Sequence, residues 1–156
     1  MKTVNLTRSV LLLAFLLGSS HPLVAQSQSP LEALEQWVEM WATHDLNAVD
    51  DLFRRDETIT YFSSSFEGVI VGYDAVVEHH RRLGFVAGGA DSPAQLWVEN
   101  ETVTLSARSA NVAAIWYFGD PDDDEPDQHG PMSMMVSKEK SGWKIVHMHF
   151  GNYPRE

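Results

Sequence analysis

Apolar residues recur with a helical period in the first half of the chain and with the alternating period of β-strands in the second half. The predicted helices begin at the capping box Ser29-Pro30-Leu31-Glu32, at Asp45 and at Gly72. The predicted strands are Thr58 to Phe62, Val69 to Val71, Ala94 to Leu105, Asn111 to Phe118, Met132 to Lys138 and Gly142 to Phe150. This order of elements predicts an α+β fold class, with three N-terminal helices packed on one face of a curved antiparallel sheet.

The last predicted strand, Gly142 to Phe150, carries two histidines two residues apart. Strict alternation would put His147 and His149 on the same face as Trp143 and Ile145. Both faces of the strand are largely apolar, so we expect both to be covered. A titratable pair on a covered face indicates a pocket or an interface.

Residues 1–25 have the layout of a secretory signal peptide. Lys2 and Arg8 provide a basic start, Val10 to Leu17 is an unbroken apolar run, and small and turn residues lead to Ala25. The run is shorter than the ~20 residues that a membrane span needs. We therefore expect residues 1–25 to be removed on export, leaving one periplasmic or secreted domain at 26–156 without membrane contact. An uncleaved N-terminal anchor is the alternative.

The expected mature domain is strongly acidic and has no cysteine. Without Lys2 and Arg8, nine basic residues stand against 22 acidic ones, and the formal charge changes from −11 to −13. A surface of this sign repels nucleic acid and anionic lipid, so we exclude both as partners. The absence of cysteine excludes thiol catalysis and disulfides, so the hydrophobic core alone must hold the fold.

Three segments resemble the SnoaL-like domains of the nuclear transport factor 2-like superfamily. Trp41 to Val49 resembles the helix break written N-x-G-D-hydrophobic, and Phe66 to Ala75 resembles the entry to the third helix, G-x-x-x-x-G-x-x-A. Gly142 to His149 resembles the closing strand, G-W-K-I-V-H-x-H. The resemblance covers nearly the whole mature chain and implies a cone-shaped fold. A related family, the association domain of calcium/calmodulin-dependent protein kinase II, oligomerises and binds small acids in its pocket.

The same fold also carries ketosteroid isomerase, scytalone dehydratase and polyketide cyclases, so the resemblance does not name a reaction. The isomerase needs a carboxylate base, a tyrosine and a protonated aspartate. Matching the helix break puts Trp37 at the position of that tyrosine and Tyr61 at the position of the base, and Met132 to Met135 offers no aspartate. We therefore do not expect isomerase chemistry by that mechanism.

Two histidines are the candidate catalytic residues. At 100° per residue, His80 faces the sheet from the third helix and could act as a pocket acid, base or anion contact. The alternative is a core histidine bonded to a backbone group. His147 is the second candidate, as a general base if it faces the pocket. In the association domain the residue matching Phe150 lies in the pocket, which would put His147 and His149 on the opposite face.

Aromatic residues are predicted to surround the interior of the cone, where a mostly apolar cavity would suit a small hydrophobic, ring-bearing molecule. Ordinary core packing is the alternative for them. The candidate ligand-binding residues are Trp37, Trp41, Tyr61, Trp97, Trp116 and His149. The two histidines of the last strand, with His80 or Glu78, have the residue types of a metal site, but such spacing is common and we expect no metal or cofactor.

The sequence thus predicts an exported domain that binds a small organic molecule or acts on it by His-assisted isomerisation, dehydration or hydration, and it leaves open whether the chain is an enzyme. The alternative function is a non-catalytic association or scaffolding module. The strands at Leu96 to Leu105, Val112 to Phe118 and Met132 to Val136 are apolar on both faces, whereas the helices can cover only one. We therefore expect a two-fold homodimer through the outer face of the sheet.

Overall fold

The computed structural model describes residues 27–92, 94–123 and 125–154, which form three helices and one six-stranded sheet. The predicted signal peptide at 1–25 lies outside the described residues. Of the helices that the structure describes, none is both long and apolar enough to cross a membrane. The elements are α1 (Pro30–Thr43), α2 (Asn47–Leu52), β1 (Thr60–Phe62), β2 (Ile70–Val71), α3 (Tyr73–Arg82), β3 (Gln95–Leu105), β4 (Ser109–Gly119), β5 (Gln128–Glu139) and β6 (Gly142–Phe150).

Helix α1 begins where the capping box predicts. Ser29 has extended backbone angles, and its hydroxyl oxygen accepts a hydrogen bond from the backbone N–H of Glu32 at 3.0 Å. Pro30 occupies the first helical turn, where its missing N–H leaves no bond unmade. The Glu32 carboxylate reaches back to accept from the backbone N–H of Gln28 at 2.6 Å. These contacts fix the start of the helix that leads to the cavity described below.

The strands follow the order β2-β1-β6-β5-β4-β3 across the sheet. All pairs are antiparallel except β1 and β6, which run parallel with Thr60 opposite His147 and Phe62 opposite His149. The sheet is therefore mixed rather than wholly antiparallel. Because α3 and four strands separate β1 from β6 in the sequence, no hairpin turn forces this pair to be antiparallel.

One face of the sheet packs against the helices and forms the core. Alternate residues of β4 and β5 point to this face, among them Val112, Trp116 and Met134, each at most 3% exposed. From the helices, Leu34 and Trp37 of α1 complete the same cluster. The three N-terminal helices on one side of a curved sheet confirm the predicted α+β architecture.

Strand β6 contains a β-bulge. Val136 of β5 pairs with Ile145, but its neighbour Met135 pairs with His147, so Val146 is an extra residue on β6. An extra residue shifts the alternation of side chains by one position beyond it.

The bulge makes the predicted facing of the histidines wrong. His147 and His149 do not share a face with Trp143 and Ile145, because the extra residue lies between the two pairs. His147 is half-buried and His149 is exposed on the outer face. The residues of β6 that are buried in the core are Trp143, Ile145, Met148 and Phe150.

Candidate functional site

A cavity of about 130 Å³ lies between the end of α1 and the concave face of the sheet. Its apolar and aromatic lining consists of Trp41, Tyr61, Leu83, Leu96, Trp116, Phe118 and Phe150. Its polar lining consists of His44, Ser63, Ser64, Ser65 and Gln128. Among the described residues, none with a charged side chain lines it. The volume is close to that of a cavity of ~150 Å³ that admits benzene, so it accommodates about one six-membered ring.

The aromatic lining is held in place by ring contacts. Trp41, in the last turn of α1, meets Phe85 and Phe118 edge to face, with ring centroids 5.1 and 6.0 Å apart. Phe150 meets the edge of Trp116 at 5.5 Å. Trp116 in turn donates a hydrogen bond from Nε1 to the carbonyl oxygen of Gly151 at 2.8 Å. Packing of this kind preorganises the cavity walls.

His44 lines the cavity and was not among the predicted site residues. It ends α1 with φ 50° and ψ 30°, the left-handed conformation that costs a residue with a β-carbon roughly 1–2 kcal/mol. Its side chain is 8% exposed, and its Nδ1 has no hydrogen-bond partner among the residues described. The sequence held one signal: the segment resembles N-x-G-D, and His44 stands at the glycine.

The rim of the cavity is formed by the serine run between β1 and β2. Ser64 Oγ donates to Gln128 Oε1 on β5 at 3.3 Å, and Ser63 Oγ accepts from the backbone N–H of Ser65 at 3.1 Å. The sequence pattern identified these serines only as a connection between strands. Short polar loops give no periodicity from which a facing could be derived.

His80 is fully buried behind the cavity wall. Its Nδ1 lies 2.8 Å from the carbonyl oxygen of Val76 and donates to it, which leaves Nε2 unprotonated, enclosed and without a partner in the described part of the chain. Burial lowers the pKa of His80 to about 4. The rings of Tyr61 and Trp41 lie 5.5 and 6.1 Å from its ring, and these two residues, unlike His80, line the cavity.

This geometry fits the alternative reading of His80 as a core histidine bonded to the backbone. Its neighbour His79 is also buried, and desolvation, helped by the positive charge of Arg82, lowers the pKa of His79. Burial likewise raises the pKa of the Tyr61 hydroxyl, which stays neutral. Burial therefore favours the uncharged form of all three side chains.

His147 and His149 lie on the outer face of the sheet, away from the cavity. His147 Nδ1 is 2.7 Å from Thr60 Oγ1, and the ring of Phe62 meets both imidazoles, at 6.1 and 5.6 Å. Partial burial, together with the neighbouring His149, lowers the pKa of His147. The bulge at Val146 is the physical reason why neither histidine reaches the cavity.

The predicted aromatic residues divide between the cavity and other places. Trp41, Tyr61 and Trp116 line the cavity. Trp37 lies in the core, where it stacks on Phe150 at 5.2 Å. Trp97 lies on the outer face and stacks on Tyr117 at 5.3 Å, because its neighbour on β3, Leu96, takes the inward position.

No group of three or more His, Cys, Asp or Glu suited to a metal ion occurs within the described ranges. His147 and His149 are on one side of the sheet and His80 is on the other, so the three cannot share an ion.

Comparisons with known proteins agree with this fold. The family model for the SnoaL-like domain matches residues 31–155. A calcium/calmodulin-dependent protein kinase type II association domain, provisionally so named, from Thiobacillus denitrificans is 16% identical with a TM-score of 0.67, covering 82% of this chain and 98% of that one. A nuclear transport factor 2-like superfamily protein from Salmonella enterica is 18% identical with a TM-score of 0.64, covering 80% and 88%.

A third solved structure, from Parabacteroides distasonis, is provisionally named a ketosteroid isomerase. It is 17% identical with a TM-score of 0.61, covering 83% of this chain and 92% of that one. The sequence has no significant match among proteins with curated functions. At these identities the structural similarities establish the fold alone.

Proposed function

Because the chain belongs to the SnoaL-like domain family, we propose that it binds a small, uncharged, ring-bearing molecule in the cavity between α1 and the sheet. The observation that carries this proposal is the cavity itself, with its aromatic walls and neutral polar rim. Ligand sites of this kind are typically apolar, with a few polar groups that orient the ligand.

The lining argues for a neutral ligand. A charged group moved from water into such a cavity would lose its hydration, and no lining residue of the described chain offers an opposite charge. This differs from the small acids that the resemblance to the kinase association domain implied. The volume of about 130 Å³ favours one ring over a fused system such as a steroid.

Binding is better supported than catalysis by the two candidate histidines. A general base must come within hydrogen-bond reach of the proton that it removes. His147 and the cavity are on opposite faces of the sheet, and His80 lies behind Tyr61 and Trp41. An isomerase or lyase reaction in this cavity would therefore need a different base.

The binding experiment uses benzene, phenol and cyclohexanone as neutral probes and benzoate as a charged one, titrated by calorimetry. We expect the neutral probes to bind and benzoate to fail. Leu83→Phe adds volume at the cavity wall and should weaken binding by about tenfold or more. Leu105→Phe is the matched control, because Leu105 is 66% exposed and does not line the cavity. A folded wild-type protein that binds none of the neutral probes would refute the proposal.

The proposed binding takes place outside the cytoplasm, after removal of residues 1–25. The layout of Lys2, Arg8 and the apolar run Val10 to Leu17 supports this. Expression of the full chain in a Gram-negative host should give a periplasmic product whose first residue lies near Gln26. Recovery of the unprocessed chain from the cytoplasm would contradict it.

A second candidate function is association with another copy through the outer face of the sheet. Phe62 and Met135 are 37% and 43% exposed there, beside His147 and His149. A sheet face that keeps large apolar side chains in contact with water favours a partner. Isologous two-fold pairing would bring this patch against its own copy.

A further inference from the structure

Among the described histidines, only His44 lines the cavity. We propose that His44 is the hydrogen-bonding contact that selects ligands carrying a neutral oxygen substituent, a hydroxyl or a carbonyl, on their ring. This inference rests on the proposed function and deepens it, because it assigns a chemical class to the molecule and a residue to its recognition.

The backbone of His44 adopts a conformation that a helix end normally reserves for glycine. With φ 50° and ψ 30°, a β-carbon is sterically disfavoured, and glycine or asparagine would end the helix at lower cost. The backbone is nevertheless held in place, since the carbonyl oxygen of His44 accepts from the N–H of Val86 at 3.1 Å. Strained residues that the surrounding structure holds fixed occur preferentially at functional sites.

The imidazole is held beside the cavity by ring contacts. It stacks on Phe85 with ring centroids 4.5 Å apart and planes at 27°, and it meets Trp41 edge to face at 6.2 Å. With 8% of its surface exposed, the side chain cannot turn to bulk water without losing the stack. A fixed ring contributes a hydrogen-bonding direction without the entropy cost of ordering a flexible one.

The Nδ1 atom of His44 is enclosed and makes no hydrogen bond within the described part of the chain. The adjacent carboxylate of Asp45 does not serve it, because Oδ1 of Asp45 accepts from the N–H groups of Asn47 and Gly88, both at 2.9 Å. A neutral imidazole has one N–H donor and one nitrogen acceptor. A ligand hydroxyl can bond to either nitrogen, whereas a ligand carbonyl can bond only to the N–H.

Two other polar side chains of the lining are already paired. Ser64 and Gln128 bond to each other across the rim at 3.3 Å. His44 instead joins the aromatic wall, beside Trp41, where a ring would be held. A hydroxyl on that ring would lose its hydrogen bonds to water when the ligand enters the cavity. A hydrogen bond to the imidazole would replace them, and so would decide whether such a ligand binds.

The experiment compares benzene and phenol, two rings that differ by one hydroxyl, by calorimetric titration of the folded protein. We expect wild type to bind phenol more tightly than benzene. His44→Phe keeps a ring to stack on Phe85 and removes both nitrogens, so the phenol preference should fall by about tenfold, the ratio expected for one lost hydrogen bond, while benzene still binds. His129→Phe, on the outer face, is the matched control and should retain the preference.

His44→Gly is the second variant and guards against a folding defect, because glycine adopts the left-handed conformation freely. It should also lose the preference for phenol. If both variants keep the phenol preference, or if wild type binds benzene but shows no such preference, the proposed role of His44 is wrong. The proposed binding function would still stand. Failure of wild type to bind any neutral probe would instead contradict the proposed function.

Discussion

His80 Nδ1 donates a hydrogen bond to the carbonyl oxygen of Val76, one turn earlier on α3, at 2.8 Å, and so points its unprotonated Nε2 into the core. Protonation of this nitrogen would bury an unpaired charge, which is why the pKa of His80 lies at about 4. In the unfolded chain the same imidazole titrates near ~6.5. As the pH falls, the unfolded state therefore takes up the proton first.

The first prediction is acid sensitivity of the fold. The contribution of His80 is intact above about pH 6.5 and is lost as the pH falls toward about 4, a difference of about 3 kcal/mol in the free energy of unfolding. The lowered pKa of His79 acts in the same direction. Urea unfolding at about pH 7.5 and about pH 4.5 measures this loss. His80→Leu should reduce it and His129→Gln should not; an equal loss in wild type and His80→Leu would show that His80 is not its source.

The second prediction concerns association through the outer face. We expect a dimer at about pH 8 that loosens toward about pH 5, because protonation of His147, whose pKa is lowered by partial burial, would bring like charges together across a two-fold axis. Multi-angle light scattering over this range measures the molar mass. The double variant His147→Gln and His149→Gln should stay dimeric at the lower pH.

Direct disruption of the same face gives an independent measurement. Met135→Asp places a charge among the exposed apolar residues and should give a monomer at every pH, whereas Leu105→Asp, at the exposed end of β3, should leave the dimer intact. A wild-type protein that is monomeric at micromolar concentration throughout would exclude association through this face.

The third prediction concerns the close approach of β5 to the chain that follows β6. A β-carbon at Gly130 would clash with the carbonyl oxygen of Gly151, the group that accepts the hydrogen bond of Trp116. Gly130→Ala should therefore lower the free energy of unfolding by about 1–3 kcal/mol. Gly151→Ala is the control, since its β-carbon would come no closer than 3.4 Å to Pro131. Equal stability of the two variants in urea would contradict this account.

The fourth prediction concerns the extra residue of β6. Deletion of Val146 would restore strict alternation along β6. The segment after the deletion would then turn His147 inward and Met148 outward, or the segment before it would turn Trp143 and Ile145 outward. Burial of the imidazoles or exposure of the large apolar side chains should prevent stable folding, as seen by loss of the cooperative thermal transition. Val146→Ala keeps the residue count and should fold with a native circular dichroism spectrum. A deletion variant as stable as wild type would show that the bulge does not determine the facing.

The elements could be predicted because their signals are local. Ser29 and Glu32 are close in sequence to the helix end that they cap, and the alternation of Val112, Ala114 and Trp116 is complete within one strand. The parallel pairing of β1 with β6 has no such local signal, because it depends on how all the elements between the two strands are arranged. The bulge at Val146 was missed for a related reason: an apolar residue on a strand that is apolar on both faces looks like any other position.

The cavity was only half predictable. Trp41 and Trp116 lie on regular elements whose period reveals the inward face, and both line the cavity. His44 and the serines of the rim lie at a helix end and in a loop, where no period applies. A helix-ending position occupied by histidine, in a segment that resembles one written with glycine, was the only signal available for His44.

The bulge at Val146 also determines which side chains of β6 face the cavity and which face the opposite surface. Beyond it, one set of alternate side chains on β6 belongs to the cavity side and the other, His147 and His149, belongs to the opposite surface. Substitutions at the histidines can therefore alter the proposed association surface while leaving the shape of the cavity unchanged, and a change at Phe150 can do the reverse. Natural variation on this one strand can therefore change the cavity and the outer surface of the sheet independently of each other.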